Sequence, residues 1–199
     1  MKPVVAVDLD EVLGVFVEQL ALYHNKAYGT VLTGESFHSY DFHLVWGGTQ
    51  EEASKKMQDF FKSDEFLDIP EIPQAKEVLE RHKEAIEFHI VTSRQLIIED
   101  ITRTWVAKHY PGLFSGIHLG NHYVEGAPQR SKLEMCRAIG ARMLIDDSPK
   151  HCLDCGSNGV AGVLFGNYAW NQVPKGEMPN YVQRVETWSE VEPLLLGLA

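Results

Sequence analysis

Apolar residues in this chain gather in short runs with polar residues at both ends. Val4-Val5-Ala6-Val7 is one such run, and it ends at Asp8-Leu9-Asp10. Ile86-Glu87-Phe88-His89-Ile90-Val91 leads into Thr92-Ser93-Arg94, and Met143-Leu144-Ile145 leads into Asp146-Asp147-Ser148. Residues 115–119 and 159–165 supply two more runs. Runs of this length bounded by polar residues predict buried strands of a parallel sheet. Between them the period lengthens to that of helices. Val78-Leu79 face away from Lys76, Glu80 and Lys83 in 75–84, and Ile98, Ile101, Trp105 and Val106 recur in 97–110 before Pro111-Gly112. Ser131 opens another helix, with Leu133, Cys136 and Ile139 on one side. Strands alternating with helices predict an α/β fold with right-handed crossovers.

Residues 17–71 break the alternation. They predict two helices, 17–28 and 50–62, separated by Gly29, Gly34 and Gly47-Gly48, and they carry Phe37, Tyr40, Phe42, Trp46, Phe60, Phe61 and Phe66. Residues 172–179 read as an exposed loop before a short final helix, 189–196.

The polar residues that end the strands carry the candidate chemistry. In open α/β sheets, ligands bind at the carboxyl ends of the strands. Asp8 and Asp10 fall there, Thr92, Ser93 and Arg94 at a second strand end, and Asp146 and Asp147 at a third. Lys132 sits in the first turn of a helix, where the dipole disfavours a cation, so a ligand anion is the better reason for it. Two acids beside a buried strand are costly unless a cation neutralises them, and hard divalent ions take carboxylate oxygens.

The segments Asp8-Leu9-Asp10-Glu11-Val12-Leu13-Gly14-Val15-Phe16, Val91-Thr92-Ser93-Arg94, Thr104-Trp105-Val106-Ala107-Lys108-His109-Tyr110 and Leu144-Ile145-Asp146-Asp147 resemble those of the haloacid dehalogenase superfamily of phosphotransferases, and within it the 5'(3')-deoxyribonucleotidases. The resemblance implies a Rossmann-like three-layer sheet of order 5-4-1-2-3. A catalytic core of residues 1–16 and 72–199 would carry a helical cap, residues 17–71, inserted after the first strand. It implies a Mg²⁺-dependent phosphomonoester hydrolase acting through an aspartyl phosphate, with a nucleoside monophosphate as the first candidate substrate. Asp8 fits the nucleophile and Asp10 the general acid and base. Thr92 and Lys132 fit stabilisers of the phosphoryl oxygens, with Ser93 beside them. Thr92 is equally suited to cap the next helix. Asp8, Asp146 and Asp10, the last through its backbone carbonyl, fit the metal ligands, and Asp147 fits a supporting acid. Arg94 either clamps a substrate anion or pairs with an acid such as Glu99. Phe16, Tyr40 and Trp46 are the candidates to stack on a base, against the plainer reading of core packing. Glu11 departs from the family pattern, which usually has glycine there.

Composition narrows the partners. A net charge of -10 argues against a nucleic-acid polymer or an anionic membrane; the expected partner is a small phosphorylated metabolite, and the expected state a monomer or homodimer. No apolar stretch reaches the ~18 residues of a membrane span, and no cleaved signal peptide is expected. Three cysteines, Cys136, Cys152 and Cys155, suggest a reducing, cytoplasmic setting. His151-Cys152-Leu153-Asp154-Cys155 lacks the second ligand pair of a zinc site, and a helix with buried cysteines is expected there. Two other readings remain open: a phosphatase of a sugar or other metabolite phosphate, and a signalling module that holds a phosphate on Asp8 without turning over.

Overall fold

The computed structural model describes residues 1–199 apart from Tyr123, Glu125, Lys175 and Ala199. Its strands are β1 (Val4–Val7), β2 (Glu87–Thr92), β3 (Gly116–Leu119), β4 (Ala141–Asp146), β5 (Ala161–Phe165) and β6 (Val182–Val185). Its helices are α1 (Phe16–Tyr28), α2 (His43–Trp46), α3 (Gln50–Phe60), α4 (Asp64–Leu67), α5 (Ala75–His82), α6 (Glu99–His109), α7 (Lys132–Ala138), α8 (Pro149–Ser157) and α9 (Trp188–Leu196). All strand pairs are parallel, in the order β3-β2-β1-β4-β5-β6. The first five strands therefore stand in the expected order. The difference is β6, which extends the sheet beyond β5. It is four residues long and half polar, with Gln183 exposed, so it lacks the apolar run that marks the other strands. Among the described residues between β5 and β6 there is no helix.

β1 and β4 are neighbours, with Val7 beside Ile145, so the residues that follow each strand meet at the same end of the sheet. The large core wraps this centre and includes Val5, Val7, Ile90, Ile145, Phe165 and Trp188. A second cluster lies under α7 and α8, with Ala6, Leu144, Cys136 and Cys155. All three cysteines are buried thiols, and His151, Cys152 and Cys155 lie in α8 as expected.

Residues 9–14 are held hard. The carbonyl of Leu9 accepts from Leu13 and Gly14 N–H, and Glu11 N–H donates back to Gly14. The next carbonyls are taken one by one by aromatic donors from other elements. Tyr168 Oη donates to Glu11 O at 2.9 Å, Trp188 Nε1 to Val12 O at 2.8 Å and Tyr110 Oη to Leu13 O at 2.9 Å. Buried carbonyls need such partners, and here the partners fix the turn that carries Asp10. The chain enters and leaves residues 17–71 side by side, through the Gly14–Glu71 bridge and the Val15 N–H to Pro70 O bond. Among the described residues, no helix is long and apolar enough to cross a membrane.

Candidate active site

Glu11 shows how the turn after β1 is built. It has φ 60, the left-handed region where glycine is at ease and a side chain is strained. The backbone thus keeps the conformation that a glycine would supply. Its buried carboxylate accepts from Val17 N–H at 2.6 Å, at the amino end of α1. An acid there satisfies a free N–H and complements the helix dipole. Burial pushes Glu11 up to about 7 despite that bond.

Asp8 follows β1 directly. Its carboxylate lies 2.6 Å from Lys132 Nζ, and Lys132 also donates to Asp146 Oδ2 at 2.7 Å. The Lys132–Asp146 contact is a hydrogen bond, whereas the Asp8 contact is an ion pair that leaves Oδ1 without an aligned donor. Ser131 and Glu134 form a reciprocal cap that sets Lys132 at the start of α7. Burial opposes charge on Lys132, but Asp146 and Asp8 hold it protonated and raise its pKa.

Carboxylate atoms of Asp8, Asp146 and Asp147 all lie within 4.8 Å of one another, and all three residues are buried. Burial pushes Asp8 up to about 6 against the pull of Lys132, with Asp146 and Asp10 adding to the rise. Asp147 is raised for the same reason, burial first and then Asp146 and Asp8. Lys132 pairs with two of these three acids, and the cluster offers oxygen ligands only. That donor set, with Asp8 Oδ1 unaligned to any donor, fits a hard divalent cation such as Mg²⁺. It is the one such group among the described residues.

The Asp10 and Arg94 side chains pair with each other. The Asp10 carboxylate is not part of the acid cluster; it takes Arg94 Nη2 at 2.7 Å and Arg94 Nε at 3.0 Å. The third clustered carboxylate is Asp147. Arg94 is buried, donates also to Thr102 at 3.1 Å and lies 5.1 Å from the Phe66 ring centre. Its guanidinium is thus committed to Asp10, not open as a clamp for a substrate anion. Glu99 pairs with Arg103 instead, at 2.7 Å.

Asp8, Asp10, Thr92, Ser93 and Asp147 line one end of a cavity of about 920 Å³. Phe16, Tyr40, Met57, Gln58 and Phe61 of the segment 16–71 face them, with Ile97 and Asn121 at the side. Thr92 Oγ1 accepts from Arg94 N–H at 3.2 Å. Phe16 reaches the cavity but sits edge-on to Phe60 and Phe66. Trp46 is not among the lining residues: it stacks on His24 at 4.8 Å and on Phe42 at 5.1 Å. Aromatic content could not tell which side chains of residues 17–71 would line the cavity. Tyr40 lines the cavity, but its hydroxyl donates to Asp147 Oδ2 at 2.8 Å. Trp170, on the loop after β5, donates to the same oxygen at 2.6 Å. Trp170 and its stacked neighbour Tyr168 carry no motif; the available signal was an aromatic pair just past a strand's carboxyl end.

A Rossmann-like parallel sheet with acids at the ends of β1 and β4 and a lysine between them defines a phosphatase of the haloacid dehalogenase superfamily. Residues 2–198 match the family model described as 5' nucleotidase, deoxy (pyrimidine), cytosolic type C protein, and the chain belongs to that family. A Halalkalibacterium halodurans protein named "Putative nucleotidase" is 24% identical over 170 residues, which is 85% of this chain and 81% of that one. A haloacid dehalogenase-like family hydrolase from Streptococcus pneumoniae shares the fold with a TM-score of 0.69 at 13% identity, covering 97% of this chain and 98% of that one. The Bacillus subtilis "putative HAD-hydrolase" YfnB, solved bound to magnesium, does so at 0.66 and 13%, covering 98% and 99%.

Proposed function

We propose that the protein is a Mg²⁺-dependent phosphomonoester hydrolase that works through an aspartyl phosphate on Asp8 and takes a nucleoside monophosphate. The observation that carries this reading is the buried Asp8–Asp146–Asp147 group around Lys132, beside a cavity large enough for a small ester. Residues 17–71 act as its cap, excluding water and selecting the leaving group.

The Asp8 carboxylate attacks phosphorus, and the ester oxygen departs with a proton from Asp10. Asp10 then takes a proton from the water that attacks the phosphoaspartate, releasing phosphate and restoring Asp8. Arg94 pairs with the ionised Asp10 carboxylate through two bonds, so Asp10 has to take up a proton and give up part of that pairing before it acts as the acid. Thr92 and Ser93 donate to the equatorial oxygens, and Lys132 fixes Asp8 while balancing charge. Asp8, Asp146 and Asp147, with the Asp10 backbone carbonyl, would hold the cation. When bound, Mg²⁺ supplies charge neutralisation for the phosphoryl group.

Size and charge support a monophosphate. Among the described lining residues the basic ones are Arg94 and His151. Arg94 is committed to Asp10, and burial holds His151 low, at about 3, and so neutral. Little positive charge is left for a second phosphate. One observation favours a sugar or similar phosphate as the second reading: Trp46 does not line the cavity and the Tyr40 hydroxyl is engaged, which leaves Phe16 alone of the three as a lining ring with no hydrogen bond. Phosphate release measured over nucleoside mono- and diphosphates and sugar phosphates with Mg²⁺ decides. The highest kcat/KM is expected on a nucleoside monophosphate, with loss in EDTA. A sugar phosphate in first place would move the assignment to the second reading, and inactivity on every monoester would overturn both.

A further inference from the structure

The loop after β5 is built more carefully than a crossover needs. Gly166 has φ 79, and a Cβ there would collide with the Tyr168 ring. Asn171 is fully buried, donates to Phe165 O at 2.9 Å and accepts from Tyr168 N–H at 3.0 Å. Arg184, carried by β6, donates to Gly166 O at 2.7 Å, to Asn171 Oδ1 at 3.2 Å and to Asn171 O. The edge strand thus anchors the loop, and the loop presents two aromatic side chains. The Tyr168 and Trp170 rings stack at 4.6 Å and 7°. Tyr40, which lines the cavity, meets Trp170 edge-on at 5.4 Å. Tyr168 is itself tied to the turn after β1 through Glu11 O. Everything in this assembly that can donate toward the acid cluster converges on a single atom: Trp170 Nε1 and Tyr40 Oη both reach Asp147 Oδ2.

We propose that Tyr40, Trp170 and Tyr168 form an aromatic clasp whose task is to position Asp147 for divalent-cation binding. The inference rests on the metal reading given above. Two donors fix one carboxylate oxygen and leave Oδ1 outside that pair of bonds, within a cluster that already contains Asp8 and Asp146. A carboxylate steered in this way is pre-organised, and partners of this kind set metal affinity nearly as strongly as the ligands themselves. The clasp also explains why Tyr40 belongs to residues 17–71 while its hydroxyl is used on the sheet side: closing that segment over the site and aiming Asp147 become one event. Trp170 and Tyr40 are therefore positioning residues.

Calorimetric titration of the full-length protein with Mg²⁺ alone, free of substrate, tests this. Trp170→Phe keeps the ring and removes the indole donor, and Tyr40→Phe removes the hydroxyl. Each should weaken Mg²⁺ by about 10–100-fold while changing the melting temperature of the metal-free protein little. Wild-type tryptophan emission should respond to Mg²⁺, and the response should be lost in Trp170→Phe. Equal Mg²⁺ affinity in wild type and both variants would overturn the clasp and leave the metal site standing. A wild type that takes up no Mg²⁺ would overturn the metal site and the clasp together. Should Trp170→Phe not fold, Tyr40→Phe carries the comparison by itself.

Discussion

The carboxyl end of the sheet and the helical segment 17–71 face each other across one cavity and are built on opposite principles. At the sheet end, three of the acids are matched to a named charge: Asp8 and Asp146 to Lys132, and Asp10 to Arg94. In the segment 17–71, the large side chains are matched mainly to each other. Phe60 meets Phe66 at 5.3 Å, Phe61 meets Phe66 at 5.1 Å, and Trp46 is closed in by His24, Phe42 and the Lys56 ammonium 5.5 Å from its ring. His24 is wired by the same logic, between Lys56 at 3.2 Å and Thr30 at 2.8 Å, and burial holds it neutral. The sheet end holds fixed charge for chemistry. The helical segment spends most of its aromatics on its own cohesion and leaves few for a ligand.

If that contrast is right, the two regions should break differently. The largest loss of stability should come from Lys132→Met. It leaves Asp8 and Asp146 buried without their cation, and removing one partner of a buried pair costs about 3–5 kcal/mol. Mg²⁺ should restore part of the loss in a thermal melt. A variant as stable as wild type without Mg²⁺ would mean that the cluster is already neutral. On the other side, Phe16→Ala should lower kcat/KM for a nucleoside monophosphate by about tenfold to hundredfold if the ring stacks on the base, which is ~1–3 kcal/mol. Glycerol phosphate should be hurt far less. Equal losses on both esters would assign Phe16 to its packing against Phe60 and Phe66.

Glu11 tests the joint between the regions. Glu11→Ala loses the bond to Val17 and keeps the left-handed strain, whereas Glu11→Gly loses the bond and relieves the strain. The glycine variant should be the more stable of the two by about 1 kcal/mol in urea unfolding. The reverse order would show that φ 60 carries no strain here. The smallest effect concerns pH. Asp8 is raised from 3.8 to about 6, so the folded state holds its proton more tightly than the unfolded state does. That contribution is fully present below about pH 4 and is lost as pH rises through about 6. Mg²⁺ competes with the same proton, so its stabilising effect should be a few °C larger at about pH 7.5 than at about pH 5. A Mg²⁺ effect independent of pH would separate the metal from Asp8.

What the sequence revealed follows the same division. Buried parallel strands must be apolar runs, so β1 to β5 stand out, and the acids that end β1 and β4 are visible because nothing apolar continues past them. β6 escaped notice because an edge strand of four residues can carry two adjacent polar ones, Gln183 and Arg184, between Val182 and Val185. Its consequence escaped too, since the loop that Arg184 anchors carries Trp170 to Asp147. The partner of Arg94 was legible in kind, an acid, but not in identity. Glu99 is five residues away along the chain, whereas Asp10 is brought there only by the neighbouring strands β1 and β2. Within 17–71, aromatic content signalled packing, and only the fold separates Tyr40, which lines the cavity, from Trp46, which does not.

The central claim is that Asp8 carries the phosphoryl group, and trapping that group tests it most directly. Wild-type protein turning over a nucleoside monophosphate with Mg²⁺ should be acid-quenched, and its peptides examined by mass spectrometry. A phosphoryl group on Asp8 is the expected result. Folded Asp8→Asn should show no such peptide, with turnover lower by on the order of 10⁴-fold or more. Phosphate release near the wild-type rate from a folded Asp8→Asn protein would contradict the account.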